Sequence, residues 1–131
     1  MEQLNVYNQG NILYLDDYLG FEVSVTSLTA SRIVSVDSRF TITTYCPTPG
    51  SATGYQVQVN NANPKLSKLI DKNYVDNPNF DDSWCTLGRL DANGQFYSNG
   101  FYRFVRIINV SNIQAGFKAF FFAEKMIPSI H

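Results

Sequence analysis

Tyr55-Gln56-Val57-Gln58-Val59 carries an apolar side chain at every second position, and that period restricts the backbone more than anything else in the chain. Successive side chains of an extended strand point to opposite faces, so Tyr55, Val57 and Val59 share one face and the two glutamines the other. A helix would scatter the same residues around its cylinder. Comparable segments recur at Phe21 to Thr26, Arg32 to Val36 and Phe40 to Tyr45, with Asp37-Ser38 read as the turn between the last two. Cys46-Pro47-Thr48-Pro49-Gly50 breaks the pattern, because proline removes a donor and glycine permits positive φ. Further strands are expected at Trp84 to Leu90, Gln95 to Tyr97, Phe101 to Val110 (the longest) and Phe117 to Ala123. Asp91-Ala92-Asn93-Gly94 ends in Asn-Gly, the strongest short hairpin signal, and Ser98-Asn99-Gly100 makes a second turn.

Many short strands spaced about 8–12 residues apart point to a sandwich or barrel. The reading is all-β: a single-domain antiparallel β-sandwich over residues 1–131, jelly-roll-like, with one long loop. That loop, Asn60 to Asp82, is rich in Asn and Asp and contains Pro64 and Pro78. Within it, Asn63 as N-cap and Pro64 at the first position predict a short helix through Ile70. Loops of this length in compact domains usually serve function, which marks this stretch as the specialised element.

Composition removes several function classes. A 44% hydrophobic content with only 16% charged residues argues against disorder. Ten basic residues against eleven acidic ones leave a net charge of -1, so no broad electrostatic footprint for nucleic acid or an anionic membrane is expected. The opening Met1-Glu2-Gln3-Leu4-Asn5 has no basic or apolar signal region. No apolar run approaches the roughly 20 residues that span a bilayer. The expectation is a protein made in a cytoplasm, with no membrane partner.

No arrangement of residue types announces chemistry. The single histidine, His131, is the last residue, a poor place for a base that must hold its geometry. Asp16-Asp17 and Asp81-Asp82 have no EF-hand spacing and read as solvated turn residues rather than Ca²⁺ ligands. Lys65, Lys68 and Lys72 read as a solvated helix face. Cys46 and Cys85 fit no metal motif and are expected as free thiols. Asn109-Val110-Ser111 matches a glycosylation sequon whose meaning depends on secretion. No catalytic, cofactor-binding or metal residue is therefore assigned, no cofactor is expected, and an enzyme is not the reading.

Aromatic residues remain. Tyr14, Tyr18, Tyr55, Tyr74, Tyr97 and Tyr102 are candidates for a sugar-stacking platform or a subunit interface, each also explicable as a core-edge residue. Phe101 to Val110 and Phe120-Phe121-Phe122 carry apolar side chains on both faces, which implies burial on two sides. A domain of this size struggles to cover both faces itself, so a partner subunit is the expected cover.

Tyr55 to Val59, Asp82-Ser83-Trp84-Cys85-Thr86-Leu87-Gly88, Tyr102-Arg103-Phe104-Val105-Arg106-Ile107 and Gly116-Phe117-Lys118-Ala119-Phe120 follow one another in an order that resembles the small β-sandwich structural proteins of tailed bacteriophages. Those modules show a strand, a W-x-x-L strand, a turn, a Y/F-R-x-V-R strand and a closing hairpin. The resemblance runs from Tyr55 onward, and discoidin-like carbohydrate-binding sandwiches share a similar skeleton. It implies a virion structural protein of the head-decoration, head-fibre or tail-associated kind, assembled in the host cytoplasm. Its implied role is a capsid decoration or auxiliary protein that forms homo-oligomers and binds a major capsid protein or another viral lattice. The alternative is a carbohydrate-binding module of a receptor-binding apparatus, with a glycan as partner. The Asn60–Asp82 stretch departs from the family's short connection, so no functional residue is carried over. Trp84 reads as a core anchor, and Arg103 and Arg106 as partners for acids or carbonyls.

Overall fold

A computed structural model describes residues 12–14, 21–23, 29–48, 54–66, 75–109, 113–114 and 116–124. The described elements are β1 (Ile12–Tyr14), β2 (Phe21–Val23), β3 (Ile33–Tyr45), β4 (Tyr55–Asn60), β5 (Lys65–Leu66), β6 (Val75–Asp76), a 3-10 turn (Phe80–Asp82), β7 (Cys85–Leu90), β8 (Gln95–Tyr97), β9 (Tyr102–Ile108) and β10 (Lys118–Glu124). Eight strands form one hydrogen-bonded network in the order β2-β10-β3-β9-β4-β7, with β1 and β8 also on β3. Every pairing in it is antiparallel except β1 with β3.

β3 makes two layers out of this network. Its first half pairs with β1 and β9, and its second half with β10 and β8. Between the halves the register shifts from Ser35 to Ser38, and Asp37 has φ 49. A bulge bends a strand and lets it pass from one sheet to another. Asp37-Ser38 is thus no turn between two strands, as the sequence predicted, but a kink inside one 13-residue strand. That strand, not the Phe101–Val110 segment, is the longest of those described. Ser98 maintains the ladder beside the kink: its N–H donates to Phe40 O at 2.9 Å, and its Oγ accepts the Phe40 N–H at 2.9 Å.

The core lies between the layers. Val34, Val57, Val105 and Ile107 from one layer meet Ile42, Ala119, Phe121 and Ala123 from the other in a single buried cluster. Tyr55, Val57 and Val59 point inward, as their alternation requires. Gly88 on β7 allows the closest approach: a Cβ there would lie 2.8 Å from the Phe96 ring of β8.

The Asp91–Gly94 turn differs from its predicted role. β7 pairs with β4 and β8 with β3, so the turn carries the chain from one layer to the other instead of closing a hairpin. Neither Asn93 nor Gly94 has positive φ, which the Asn-Gly hairpin turn would require. Asn93 is used otherwise: its Oδ1 accepts the Cys46 N–H at 2.8 Å and its Nδ2 donates to Cys46 O at 3.0 Å.

The Asn60–Asp82 stretch also departs from expectation. Lys65–Leu66 forms a two-residue ribbon with Val75–Asp76 where the helix was predicted to begin; residues 67–74 lie outside the described set. The Pro64 C=O accepts the Asn77 N–H at 2.9 Å, a bond across this ribbon and not one within a helical turn. The far end of the stretch folds over the outer face of the β9 layer. Phe80, fully buried, packs edge-on against Phe104 and Trp84, and joins Ile12 and Ile33 in a second apolar cluster. Asn60 holds this cover down, donating from Nδ2 to Phe80 O at 2.8 Å and accepting the Ala62 N–H at 2.9 Å. Phe104 on the outer face of β9 is accordingly covered by a segment of the chain itself.

Candidate functional site

β10 reads Lys118-Ala119-Phe120-Phe121-Phe122-Ala123-Glu124, and its alternation sorts these residues cleanly. Ala119, Phe121 and Ala123 are buried between the layers, which turns Lys118, Phe120, Phe122 and Glu124 outward. Registry extends the outer face across two more strands. Phe122 lies opposite Thr41, and Thr41 opposite Tyr97. Phe120 lies opposite Thr43, and Thr43 opposite Gln95. Lys118 pairs with Tyr45 at one end, and Glu124 with Arg39 at the other. The Arg39 guanidinium carbon sits 5.6 Å from the Phe101 ring centre.

This face holds the exposed large hydrophobics of the described residues: Tyr97 at 68% exposure, Phe101 at 60%, Tyr45 at 52% and Phe122 at 40%. A sheet face covered by its own chain, like that of β9, shows nothing comparable. Scattered apolar side chains on a surface need no explanation, whereas a contiguous set does. The polar groups here are modest: the Tyr97 hydroxyl donates to Gln95 Oε1 at 2.8 Å, and threonines fill the rows between the rings. Lys118 stands at one end and Arg39 with Glu124 at the other, while β2 sets Glu22 in register with Phe120. Such a face is chemically equipped to pack against another apolar surface.

Of the singled-out tyrosines whose side chains are described, Tyr97 alone is on this face. Tyr55 is buried and stacks on Phe117 at 4.8 Å, and Tyr102 is half-buried against Phe40. The side chains of Tyr14, Tyr18 and Tyr74 lie outside the described residues. Tyr45 was missed, because its position opposite Lys118 depends on the pairing of strands far apart in sequence. Phe120 and Phe122 were visible from the two-faced pattern of β10.

Beyond the Phe80 cover, the outer face of the other layer carries Gln58 and Arg106 in register, with Ile108 further along β9. Arg106 on β9 donates from Nε to Gln58 Oε1 at 2.9 Å, and its guanidinium carbon sits 4.2 Å from the Trp84 ring centre. Trp84 is half-buried, and its indole N–H is buried without a hydrogen-bond partner. Burial lowers the Arg106 pKa from its ordinary value, and the Asp81 carboxylate opposes that shift. Asp81, exposed in the 3-10 turn, has its own pKa raised, chiefly by desolvation and against the pull of Arg106. The Arg103 guanidinium lies over Phe104 at 5.6 Å, and its backbone N–H donates to Asn61 Oδ1. Arg106 thus finds the carbonyl partner the sequence predicted, in the Gln58 amide oxygen, with an aromatic ring added beside it, whereas the Arg103 guanidinium lies over an aromatic ring.

Cys46 is buried and Cys85 exposed, and both are free thiols. Asn109 of the sequon is buried. Among the described residues no group of His, Cys, Asp or Glu is arranged to hold a metal ion; Asp16, Asp17, Lys68, Lys72 and His131 lie outside them. No helix of the described residues is long and apolar enough to cross a membrane. Comparison of the chain with protein-family models, with curated proteins and with solved structures finds no match.

Proposed function

We propose that this chain is a non-catalytic assembly protein that associates with copies of itself through the outer face of the β10–β3–β8 layer. The observation that carries the reading is the row Phe122–Thr41–Tyr97, flanked by Tyr45 and Phe101, left exposed on a sheet whose opposite side is fully used by the core. Two such faces can pack as the layers of a sandwich do, and a twofold arrangement makes the patch its own partner. The small net charge of -1 offers little repulsion between copies. The resemblance to phage structural modules extends the reading to a virion decoration or auxiliary protein whose oligomer binds a capsid lattice. The carbohydrate alternative draws less support, since Trp84 carries Arg106 on its ring and Phe80 at its side.

Light scattering on a size-exclusion column tests the association. Wild type is expected as a defined oligomer at micromolar concentration. Tyr97→Glu with Phe122→Glu is expected as a folded monomer with an unchanged circular dichroism spectrum. A wild-type monomer would sink the proposal. Co-sedimentation with purified particles tests the virion step, and loss of co-sedimentation in the double variant is the expected result. Saturable binding of neutral glycans by the monomeric wild type would favour the alternative.

A further inference from the structure

We propose that the cleft beside Arg106 binds a small ligand bearing a carboxylate on a short apolar body. The cleft has a volume of about 380 Å³ and is lined by Thr29, Ala30, Arg106, Ile108 and Asn109. That volume falls within the range of small-molecule sites. It lies on the outer side of the β9 layer, away from the aromatic face proposed for assembly. Backbone hydrogen bonds fix its walls: Asn109 N–H donates to Thr29 O at 2.9 Å, Ser31 N–H to Ile107 O at 2.9 Å, and Ala30 bridges to Ile108.

Arg106 gives the cleft its chemistry. Gln58 holds Nε, and the Trp84 ring supports the guanidinium plane. Neither contact uses the two Nη groups, which make no hydrogen bond to any described residue, and no described carboxylate comes within ion-pair distance of them. The end of the guanidinium carrying those groups is the part that grips a carboxylate through two parallel hydrogen bonds. Its rotamer is fixed before any ligand arrives, which reduces the ordering cost of binding. Ala30 and Ile108 supply apolar walls, which favour an alkyl body over a bare inorganic anion.

Trp84 is the single tryptophan and rests on the guanidinium, so its fluorescence reports occupancy directly. Pentanoate is the probe, with pentanamide as the uncharged isostere and inorganic phosphate as the anion without an apolar body. Pentanoate is expected to give a saturable change in Trp84 emission and shifts of the Ala30, Ile108 and Asn109 amide resonances; pentanamide is expected to give neither. Phosphate is expected to bind more weakly than pentanoate. Arg106→Met is expected to weaken pentanoate binding at least about tenfold, and Arg106→Lys by less, because it keeps charge but loses the fork. The monomeric Tyr97→Glu, Phe122→Glu variant is expected to bind as wild type does. The proposal is overturned by no saturable response to pentanoate, by an equal response to pentanamide or phosphate, or by full binding in Arg106→Met. The acid–amide comparison uses the wild-type protein, so it stands even if a variant fails to fold.

Discussion

Tyr55 shows how a single side chain serves two ends in this core. Its ring is buried and stacks on Phe117 at an interplanar angle of 13°, while its hydroxyl reaches the Gln114 N–H at 3.3 Å. Burial raises its pKa above the ordinary 10.0, the Gln114 hydrogen bond pulls the other way, and nearby Cys46 adds to the rise. A folded-state pKa above the unfolded one means that the native protein holds this proton more tightly. Stability from this source is fully present below the unfolded value of 10.0 and is lost as pH rises through the higher folded value. Urea titrations at stepped alkaline pH should therefore show a falling unfolding free energy, with a shallower fall in Tyr55→Phe. At neutral pH the same variant should cost about 1 kcal/mol, because the Gln114 N–H loses its acceptor. Identical alkaline slopes in the two proteins would show that the hydroxyl is not held as described.

β3 is the element on which the architecture turns, and it was only half legible. The alternations on either side of Asp37 were plain, since each follows from side chains at period two. Their union into one strand was not, because Asp-Ser is equally suited to a turn and to a bulge residue with positive φ. What decides between them is pairing with β9, β10 and β8, all distant in sequence. The same reason hid the crossing at Asp91–Gly94, where Asn93 spends its side chain on Cys46 instead of on a local turn. Pro64 looked like a helix start, yet the cluster of Phe80, Trp84 and Phe104 rewards a stretch that lies over the sheet. Of the candidate face, Phe120 and Phe122 could be read from β10 alone and Tyr97 stood among the tyrosines singled out, whereas Tyr45 needed the register. The kink gives a direct prediction. Asp37→Gly should preserve or slightly raise stability, while Asp37→Val should lower it by about 1–2 kcal/mol, the cost of a side chain in the left-handed region. Thermal denaturation of the pair measures this, and equal melting temperatures would mean that the kink carries no conformational cost.

At the scale of the whole molecule, the two layers treat their outer faces differently. One hides Phe104 and Ile33 beneath a segment of the same chain, tied down through Asn60. The other leaves Tyr97, Tyr45, Phe101 and Phe122 in water, with Lys118, Arg39 and Glu124 at the ends of β10 and β3 and Glu22 of β2 in register with Phe120. An association built on that second face should draw on apolar burial, which salt does not screen, far more than on ion pairs, which it does. The oligomer is therefore expected to persist from low to high sodium chloride with little change in its dissociation constant. Calorimetric dilution at several temperatures should show a negative heat-capacity change on association, the mark of buried apolar surface. Both signatures should vanish together in the Tyr97→Glu, Phe122→Glu variant, because one face supplies both. Dissociation by moderate salt would instead assign the contact to Lys118, Arg39 and Glu124 at the ends of the face, and the aromatic rows would need another purpose.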